Sequence, residues 1–599
     1  MPFGIPGAGQ RPAGFGRSPR KEKKMSQKID WLIAAENFIK SGDFLNARGA
    51  AREVFDLEPS SADGPALRAE CEMYLGNFEA AELYAMDALA ADKNCFRAKL
   101  TLAGTEILKG KHKTAAKRLE NMLRVERIQE KKKAIREQLE AKDKETIIYA
   151  AMLERAAGWL ADCFALLGEP MKVKECLYLA SEISKDNRIS LLSKFLFFGN
   201  YRMLTSGEAR RLAEVYRQAA EETKTAKLAV NRKNETGSIR VGYISGAFRT
   251  HATLAFLPAL LNNPEPGIFK VYVYSCGRED EATRRLKETL NGATWRNVSN
   301  LNAKDRALKI MEDKVDILVD LAGHSEGSVM ETLMYKPAPV IIEALGYFAS
   351  AGLSEVDFSL LDRITAPYKT TDRYIENILK LENHAPICYT PEGLYENIPE
   401  CANVQPAKSN KYVTFGCVQN LCKISDDLLL LWKQAFDKLR DYKLILQNRT
   451  IAFEESKGHL QLRLQNLGFK LSNIELLPFS ENYLETIKRA DIMLDTTPYP
   501  GGATTCDSLY MGVPVISLRG NDPWSRLGAS ILEAADLHEL IAETPKEYIK
   551  KMLKLATDIP LLEKYRINLR DNLKKSKLMD KAGYQREVYD IYKQIITQN

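Results

Sequence analysis

The chain has 599 residues, enough for three or four domains, and its 45% hydrophobic and 28% charged residues exclude a disordered, collagenous or wholly coiled-coil protein. Of the net charge of +7, six units sit in residues 1–28, where seven basic residues face the single acid Glu22. The near-neutral remainder excludes a broad nucleic-acid-binding surface as the main function, since that needs excess cations on the folded part. No apolar run reaches the roughly 20 residues that span a bilayer, and the longest, Ala338–Leu353, is interrupted by Glu343. The N-terminus places a Gly/Pro-rich segment ahead of its charges, the reverse of a secretory signal. Ten cysteines without a CxxC pair fit reduced thiols, so a cytoplasmic location is expected.

Residues 1–28 are expected to form a disordered basic tail, with Met25 as an alternative start. A helical pattern begins at Ile29. Gly42, Gly76 and Gly110 recur at a spacing of 34, and Ala47, Ala81 and Ala115 follow each by five residues. Gly permits the tight turn between two helices, and Ala lets the helices approach closely. This period resembles the tetratricopeptide repeat, whose units stack because none buries its own face. Residues 29–205 are assigned to this helical domain, with Gly168 as a further interhelix turn. Within it, Arg124–Glu145 is rich in alternating charges and reads as a long solvated helix. Residues 206–237 read as a helical linker ending in the polar stretch Asn231–Gly237.

From Ser238 the period changes to short β-branched runs alternating with helices. Strands are expected at Ile239–Ser245, Lys270–Ser275, Asp316–Leu321 and Val340–Leu345, with helices at Asp280–Leu290 and Ala303–Glu312. After the linker 397–410, a second series is expected at Tyr412–Phe415, Lys443–Gln447, Ile474–Leu477, Asp491–Leu494 and Pro514–Leu518. The fold class is therefore α plus α/β: a helical repeat domain, then two Rossmann-like lobes at 238–396 and 411–555, then C-terminal helices at 556–599. Two such lobes in tandem form a cleft between their strand ends, the layout of a GT-B glycosyltransferase.

The sharpest element is Pro498–Asp507, between the strand at Asp491 and the helix at Ser508. Its glycines would let an anion reach the backbone, and a helix N-terminus with Thr hydroxyls would hold phosphate. Asp507 is placed to accept hydrogen bonds from a ribose. A plain strand-to-helix turn would look the same. Lys423 follows the first strand of the second lobe, where it could reach a diphosphate across the cleft. Only six histidines occur, and His251 and His324 both fall at expected C-terminal strand ends, where open α/β sheets bind ligands. No Asp-x-Asp motif and no cluster with metal-ligand spacing is present, so no metal is expected.

Together these residues resemble glycosyltransferase family 41, the protein O-GlcNAc transferases and SPINDLY proteins. The motifs are Val241–Leu257 with Phe248, His251 and Thr253; Asp316–His324; Lys336–Val340 through Leu345-Gly346-Tyr347; Lys423-Ile424; Leu494–Asp507; Met511–Val515; and Ser525-Arg526. The resemblance implies a catalytic role for His251, as base or as orienter of the acceptor, and a diphosphate contact for Lys423. It implies that Gln419, Asn420 and Cys422 line the nucleotide site. Gly501, Gly502, Ala503, Thr504 and Thr505 would hold the diphosphate and Asp507 the ribose. His324, Gly346 and Tyr347 are expected on the acceptor or donor-sugar side.

The implied activity is inverting, metal-independent transfer of GlcNAc from UDP-GlcNAc to Ser/Thr of a protein, with no cofactor. The acceptor, a flagellin or other surface protein among the candidates, would lie along the repeat groove, and homo-oligomerisation stays open. A GDP-fucose or UDP-hexose donor, an N-linked acceptor and an inactive repeat scaffold are the alternatives. Tyr347-Phe348-Ala349-Ser350-Ala351-Gly352 and Tyr483 depart from the family pattern, and three clear repeats with no room for a large insert suggest a bacterial-type member.

Overall fold

The computed structural model describes residues 19–123, 134–135, 137–139, 141–184, 186–223, 227–228, 237–367, 371–401 and 404–598. The chain divides into two compact units: residues 1–159 except 110–113, and those four residues together with 160–599.

The first unit is built from helix pairs: α1 Pro19–Lys40 with α2 Phe44–Leu57, α3 Asp63–Tyr74 with α4 Phe78–Ala91, and α5 Phe96–Leu108 with α6 His112–Leu123. The repeat glycines act as expected. Gly42, Gly76 and Gly110 have φ of +76°, +83° and +76°, the left-handed conformation that ends a helix without a Cβ penalty. In the first two, the following N–H closes the turn on a carbonyl five residues back, Asp43 to Phe38 at 2.8 Å and Asn77 to Glu72 at 2.9 Å. Ala47, Ala81 and Ala115 are fully buried.

Helix α1 starts at Pro19, inside the segment expected to be a disordered tail. Pro suits a first helical position, and the Lys/Glu/Gln-rich residues that follow are good helix formers. Most of the solvated helix expected over Arg124–Glu145 lies outside the described residues. Its end breaks at Lys142 (φ +58°), and α7 Lys144–Leu167 begins after it.

The repeat register also explains a buried ion cluster in this unit. Glu36 and Glu70 each lie six residues before a turn glycine, whereas Arg97 and Arg155 each lie thirteen before Gly110 and Gly168. Each arginine pairs with both glutamates. Burying one such charge alone would be costly, and the four neutralise one another.

The second unit begins within α7 and continues through α8 Pro170–Ile183, α9 Arg188–Gly199 and α10 Ser206–Glu222. Gly168 (φ +76°) makes the α7–α8 turn. Two all-parallel sheets follow. The first runs β3-β2-β1-β4-β5-β6-β7, with β1 Ile239–Ser245, β2 Phe269–Ser275, β3 Ala293–Asn297, β4 Ile317–Asp320, β5 Val340–Glu343, β6 Phe358–Asp362 and β7 Asn377–Leu381. The second runs β10-β9-β8-β11-β12-β13, with β8 Val413–Cys417, β9 Tyr442–Asn448, β10 Ile474–Pro478, β11 Ile492–Leu494, β12 Val515–Leu518 and β13 Ile541–Ala542.

In each sheet the order reverses beside the first strand, at β1/β4 and β8/β11, which is where open sheets bind ligands. The two lobes are tied together by side chains. Ser530 donates to Asp362 at 2.7 Å, and Arg373 pairs with Asp522. The last helix, Lys581–Gln598, returns to the first lobe, where Tyr589 packs edge-on against Phe269.

Candidate active site

The turn after β11 is built around Asp495. Its carboxylate accepts the Gly501 N–H at 2.8 Å, the Thr496 N–H at 2.9 Å and the Ser517 hydroxyl at 2.7 Å. Burial pushes this acid up to about 6, while those donors and Lys423 pull it down. A Cβ on Gly501 would stand 2.1 Å from Gln419 Nε2, so any side chain there would displace that amide from the turn. Gly502 caps the helix Ala503–Tyr510; the Thr505 N–H bonds the Gly502 carbonyl at 3.2 Å, while the first two N–H groups, of Ala503 and Thr504, have no acceptor among the described residues and form the positive end of its dipole. Gln419 Nε2 donates to Thr504 Oγ1 at 2.5 Å, and the Thr505 hydroxyl donates to the Gly501 carbonyl.

Lys423 closes this end from the loop after β8. Its ammonium donates to the Pro500 carbonyl at 3.0 Å and stands 4.9 Å from the Tyr499 ring centre. Burial lowers its pKa to about 8, partly offset by Asp495. A cation held on an expendable carbonyl beside free helix N–H groups suits a diphosphate, which would restore the charge that burial penalises. Lys423, Gln419 and Gly501–Thr505 are therefore assembled in one place.

Asn420 and Cys422 are not part of it. Asn420 is exposed and caps the Cys422 N–H at 3.0 Å. The buried Cys422 thiol donates to the Ala165 carbonyl of α7 at 3.2 Å.

Asp507 is fully buried and lies one helical turn further on. Its carboxylate accepts three phenols: Tyr389 at 2.6 Å, Tyr395 at 2.9 Å, and Tyr483. Burial drives it up to about 6 against those donors. A ribose reaching Asp507 must displace a tyrosine hydroxyl. Tyr483, the departure from the family pattern, is thus a ligand of the acid.

In the first lobe, His251 caps the turn Ala252–Ala255. Its Nδ1 accepts the Thr253 N–H at 3.3 Å and lies 2.9 Å from the Thr253 hydroxyl. An amide can only donate, so the neutral ring carries its proton on Nε2. Burial lowers its pKa first. Glu326 opposes that shift, and Arg249 and Arg449, the latter from the other lobe, add to it.

His324 has a different setting. Its Nδ1 accepts from Ser193 of α9 at 2.8 Å, and its Nε2 donates to the Ala351 carbonyl at 2.8 Å. Its ring lies edge-on to Tyr216 and Tyr347. Burial lowers its pKa to about 4. Tyr347 is buried beside it and accepts from Asn200 at 2.9 Å, and Gly346 has no room for a Cβ, which would stand 2.4 Å from the Leu321 carbonyl. These three residues form packed structure beneath the loop after β4.

Sequence reasoning assigned no role to Asp495, to the phenols of Tyr389 and Tyr395, or to the arginines near His251. Asp495 had a usable signal, an acid on the last residue before the glycine turn.

Comparison with known proteins agrees with this geometry. The description "Glycosyl transferase family 41" matches residues 219–388 and 388–588. Curated relatives include two proteins described as probable UDP-N-acetylglucosamine–peptide N-acetylglucosaminyltransferase SPINDLY. The one from Solanum lycopersicum is 32% identical over 369 residues, 61% of this chain and 39% of that protein. The one from Arabidopsis thaliana is 33% identical over 347 residues, 57% of this chain and 37% of that protein. The chain thus spans well under half the length of these relatives. Among solved structures, a mutant of the Thermobaculum terrenum O-GlcNAc transferase superposes with a TM-score of 0.67 at 22% identity, covering 96% of this chain and 98% of the other, which supports the fold. With the family profile covering both sheets, the chain is a member of glycosyl transferase family 41.

Proposed function

We propose that the chain transfers GlcNAc from UDP-GlcNAc to a Ser or Thr hydroxyl of a protein, by a single displacement that inverts the anomeric centre. The carrying observation is Lys423, held on the Pro500 carbonyl beside the free N-terminus of helix Ala503–Tyr510. The acceptor oxygen forms the new bond to the anomeric carbon as the bond to the β-phosphate oxygen breaks; UDP leaves with the electron pair, and the proton of the acceptor hydroxyl passes to an oxygen of the departing diphosphate or to water. Lys423 and the helix N-terminus take up the charge that develops on the diphosphate, the form of stabilisation that contributes most in such sites.

With Nδ1 occupied by the Thr253 N–H, His251 offers Nε2–H as a donor. This favours an orienting role over that of a base. The repeats would present the acceptor protein. The assembled cation, dipole and acid favour an enzyme over a scaffold that has lost its activity.

The test is incubation of the full chain with a panel of radiolabelled nucleotide sugars and host lysate, with and without a chelator. Label from UDP-GlcNAc, undiminished by the chelator, is the expected result. Label from GDP-fucose or a UDP-hexose alone would replace the donor, and loss on chelation would remove the metal-free mechanism.

A further inference from the structure

Beside His251 the first lobe holds a cavity of about 690 Å³ at the carboxyl ends of β1 and β2, lined by Arg249, Arg278 and Arg306 among other residues. The three guanidiniums come from three separate segments: the loop after β1, the loop after β2, and the helix Ala303–Glu312. The loops are drawn together at Gly246, Gly277 and Gly327, and a Cβ on Gly277 would stand 2.2 Å from the Gly246 carbonyl oxygen.

The charges do not cancel. Asp280 also lines the cavity, and its carboxylate, which accepts the Thr250 N–H at 2.8 Å and the Thr283 N–H at 3.0 Å, keeps its negative charge; with Glu326 it offsets two of the three guanidiniums and leaves one positive charge. Glu326 pairs with Arg249. Among the described residues neither Arg278 nor Arg306 has a carboxylate partner; Arg306 donates its Nε–H to the Leu301 carbonyl at 2.8 Å and also hydrogen-bonds the Cys276 thiol. Two guanidiniums thus face a roomy, water-accessible cavity with most of their donors uncommitted. That arrangement matches the planar, two-point recognition of an oxyanion.

We propose that this cavity is an anion site for the acceptor polypeptide, taking the carboxylate of an Asp or Glu side chain close in sequence to the hydroxyl that is modified. Arg249 lies two residues before His251, so a chain anchored there would run toward the ring that orients the hydroxyl. The role as acceptor site rests on the reading of the chain as a protein-directed transferase. The preference for an anionic polypeptide does not.

Binding is measured first, by calorimetry on the full chain. One peptide carries a central Ser flanked by Glu, and a second has Gln in place of each Glu. The Glu peptide should bind, with the Gln peptide and the double variant Arg278→Gln/Arg306→Gln each weaker by about tenfold or more, the scale of a lost charge-assisted pair. Arg284→Gln, on the exposed face of the neighbouring helix, should leave binding unchanged and guards against a non-specific charge effect.

Equal binding of the two peptides, or an unaffected double variant, overturns the proposal. So does inorganic phosphate that binds through the same arginines and excludes the peptide, because the occupant would then be free phosphate. Transfer is measured second, with UDP-GlcNAc and the same peptides. Arginine-dependent binding without transfer from any donor would sink the transferase reading and leave the anion site standing.

Discussion

At the carboxyl ends of its strands, the second sheet is filled. The Gly501–Thr505 turn is tied down by Asp495 and Gln419, and Lys423 lies folded onto the Pro500 carbonyl. At the carboxyl ends of its own first two strands the first sheet opens into a cavity of about 690 Å³ lined by Arg249, Arg278 and Arg306, of which only Arg249 has a carboxylate partner among the described residues. One lobe spends its polar groups on each other, and the other leaves part of them unspent. The difference follows from what each lobe would have to recognise. A nucleotide diphosphate has the same shape on every turnover, so a rigid, prepaid turn binds it with little ordering cost. Polypeptide acceptors vary around the modified hydroxyl, and a roomy site with long, forked side chains tolerates that variation.

The sharpest way to break this comparison is to remove the cation from the closed end. Lys423→Ala should abolish detectable transfer and weaken UDP binding by roughly 10- to 150-fold, the equivalent of a charge-assisted contact of about 1.5–3 kcal/mol. The same residue gives a pH test. Its pKa is lowered to about 8, so the ammonium is present below that pH and lost above it. UDP binding should therefore fall as pH rises through about 8, and this limb should vanish in Lys423→Ala. Calorimetry across pH 6–10 reads both, and an unchanged UDP affinity in the variant would take Lys423 out of the site.

His251 tests the boundary between the two ends. As an orienter through Nε2–H, its loss to Ala should cost turnover about 10²-fold, since small misplacements of a reacting group are expensive. Folding and UDP binding should persist. His251→Gln, which restores an N–H donor, should recover part of the loss. A base would behave differently: wild type would lose activity on the acid side as the ring protonates, and His251→Ala would lack that limb. Matching acid limbs in wild type and variant are expected, and a limb present only in wild type would reinstate the base.

Much of the fold was legible from the chain because it rests on local rules. The repeat period reads off Gly42, Gly76 and Gly110 because their left-handed φ is a backbone demand. Strands β1, β2, β4 and β5 are buried β-branched or apolar runs, whereas β3 and β7 lie at sheet edges, half exposed, with mixed sequences such as Ala-Thr-Trp-Arg-Asn. They carry little periodic signal. The Gly501–Thr505 turn and Lys423 were legible because glycines and a lone cation follow strands.

What escaped was set by distant packing. The phenols on Asp507 come from residues 118 and 112 positions away, and Tyr483 from 24. The cavity arginines sit on three separate segments with no shared motif. Cys422 and His324 were placed correctly along the chain, at a loop after a strand. Helices from well upstream then covered them, Cys422 through Ala165 and His324 through Ser193, 131 residues before it.

His324 supplies the smallest effect on chemistry and the finest test of the comparison, because it is the histidine at the open end that serves as structure. Its ring accepts from Ser193, donates to Ala351 and is enclosed by Tyr216 and Tyr347. His324→Leu leaves the Ala351 carbonyl unsatisfied and the Ser193 hydroxyl with only its 3.4 Å contact to Ser328, which should cost about 1–3 kcal/mol of stability. The folded fraction should still turn over normally and bind UDP with unchanged affinity.

The pH dependence has a definite sign. The folded-state pKa is lowered to about 4, below the ordinary imidazole value of about 6.5. The unfolded chain therefore binds the proton more readily. The stability that rests on a neutral ring is complete above pH ~6.5 and drains away as the pH falls toward about 4. Urea melts of wild type at pH 7.5 and 5 should differ by about 2 kcal/mol from this one group, and the difference should shrink by that amount in His324→Leu. If His324→Leu is instead as stable as wild type and loses turnover by a hundredfold or more, His324 acts on the reaction, and the floor of the open end belongs to the site itself.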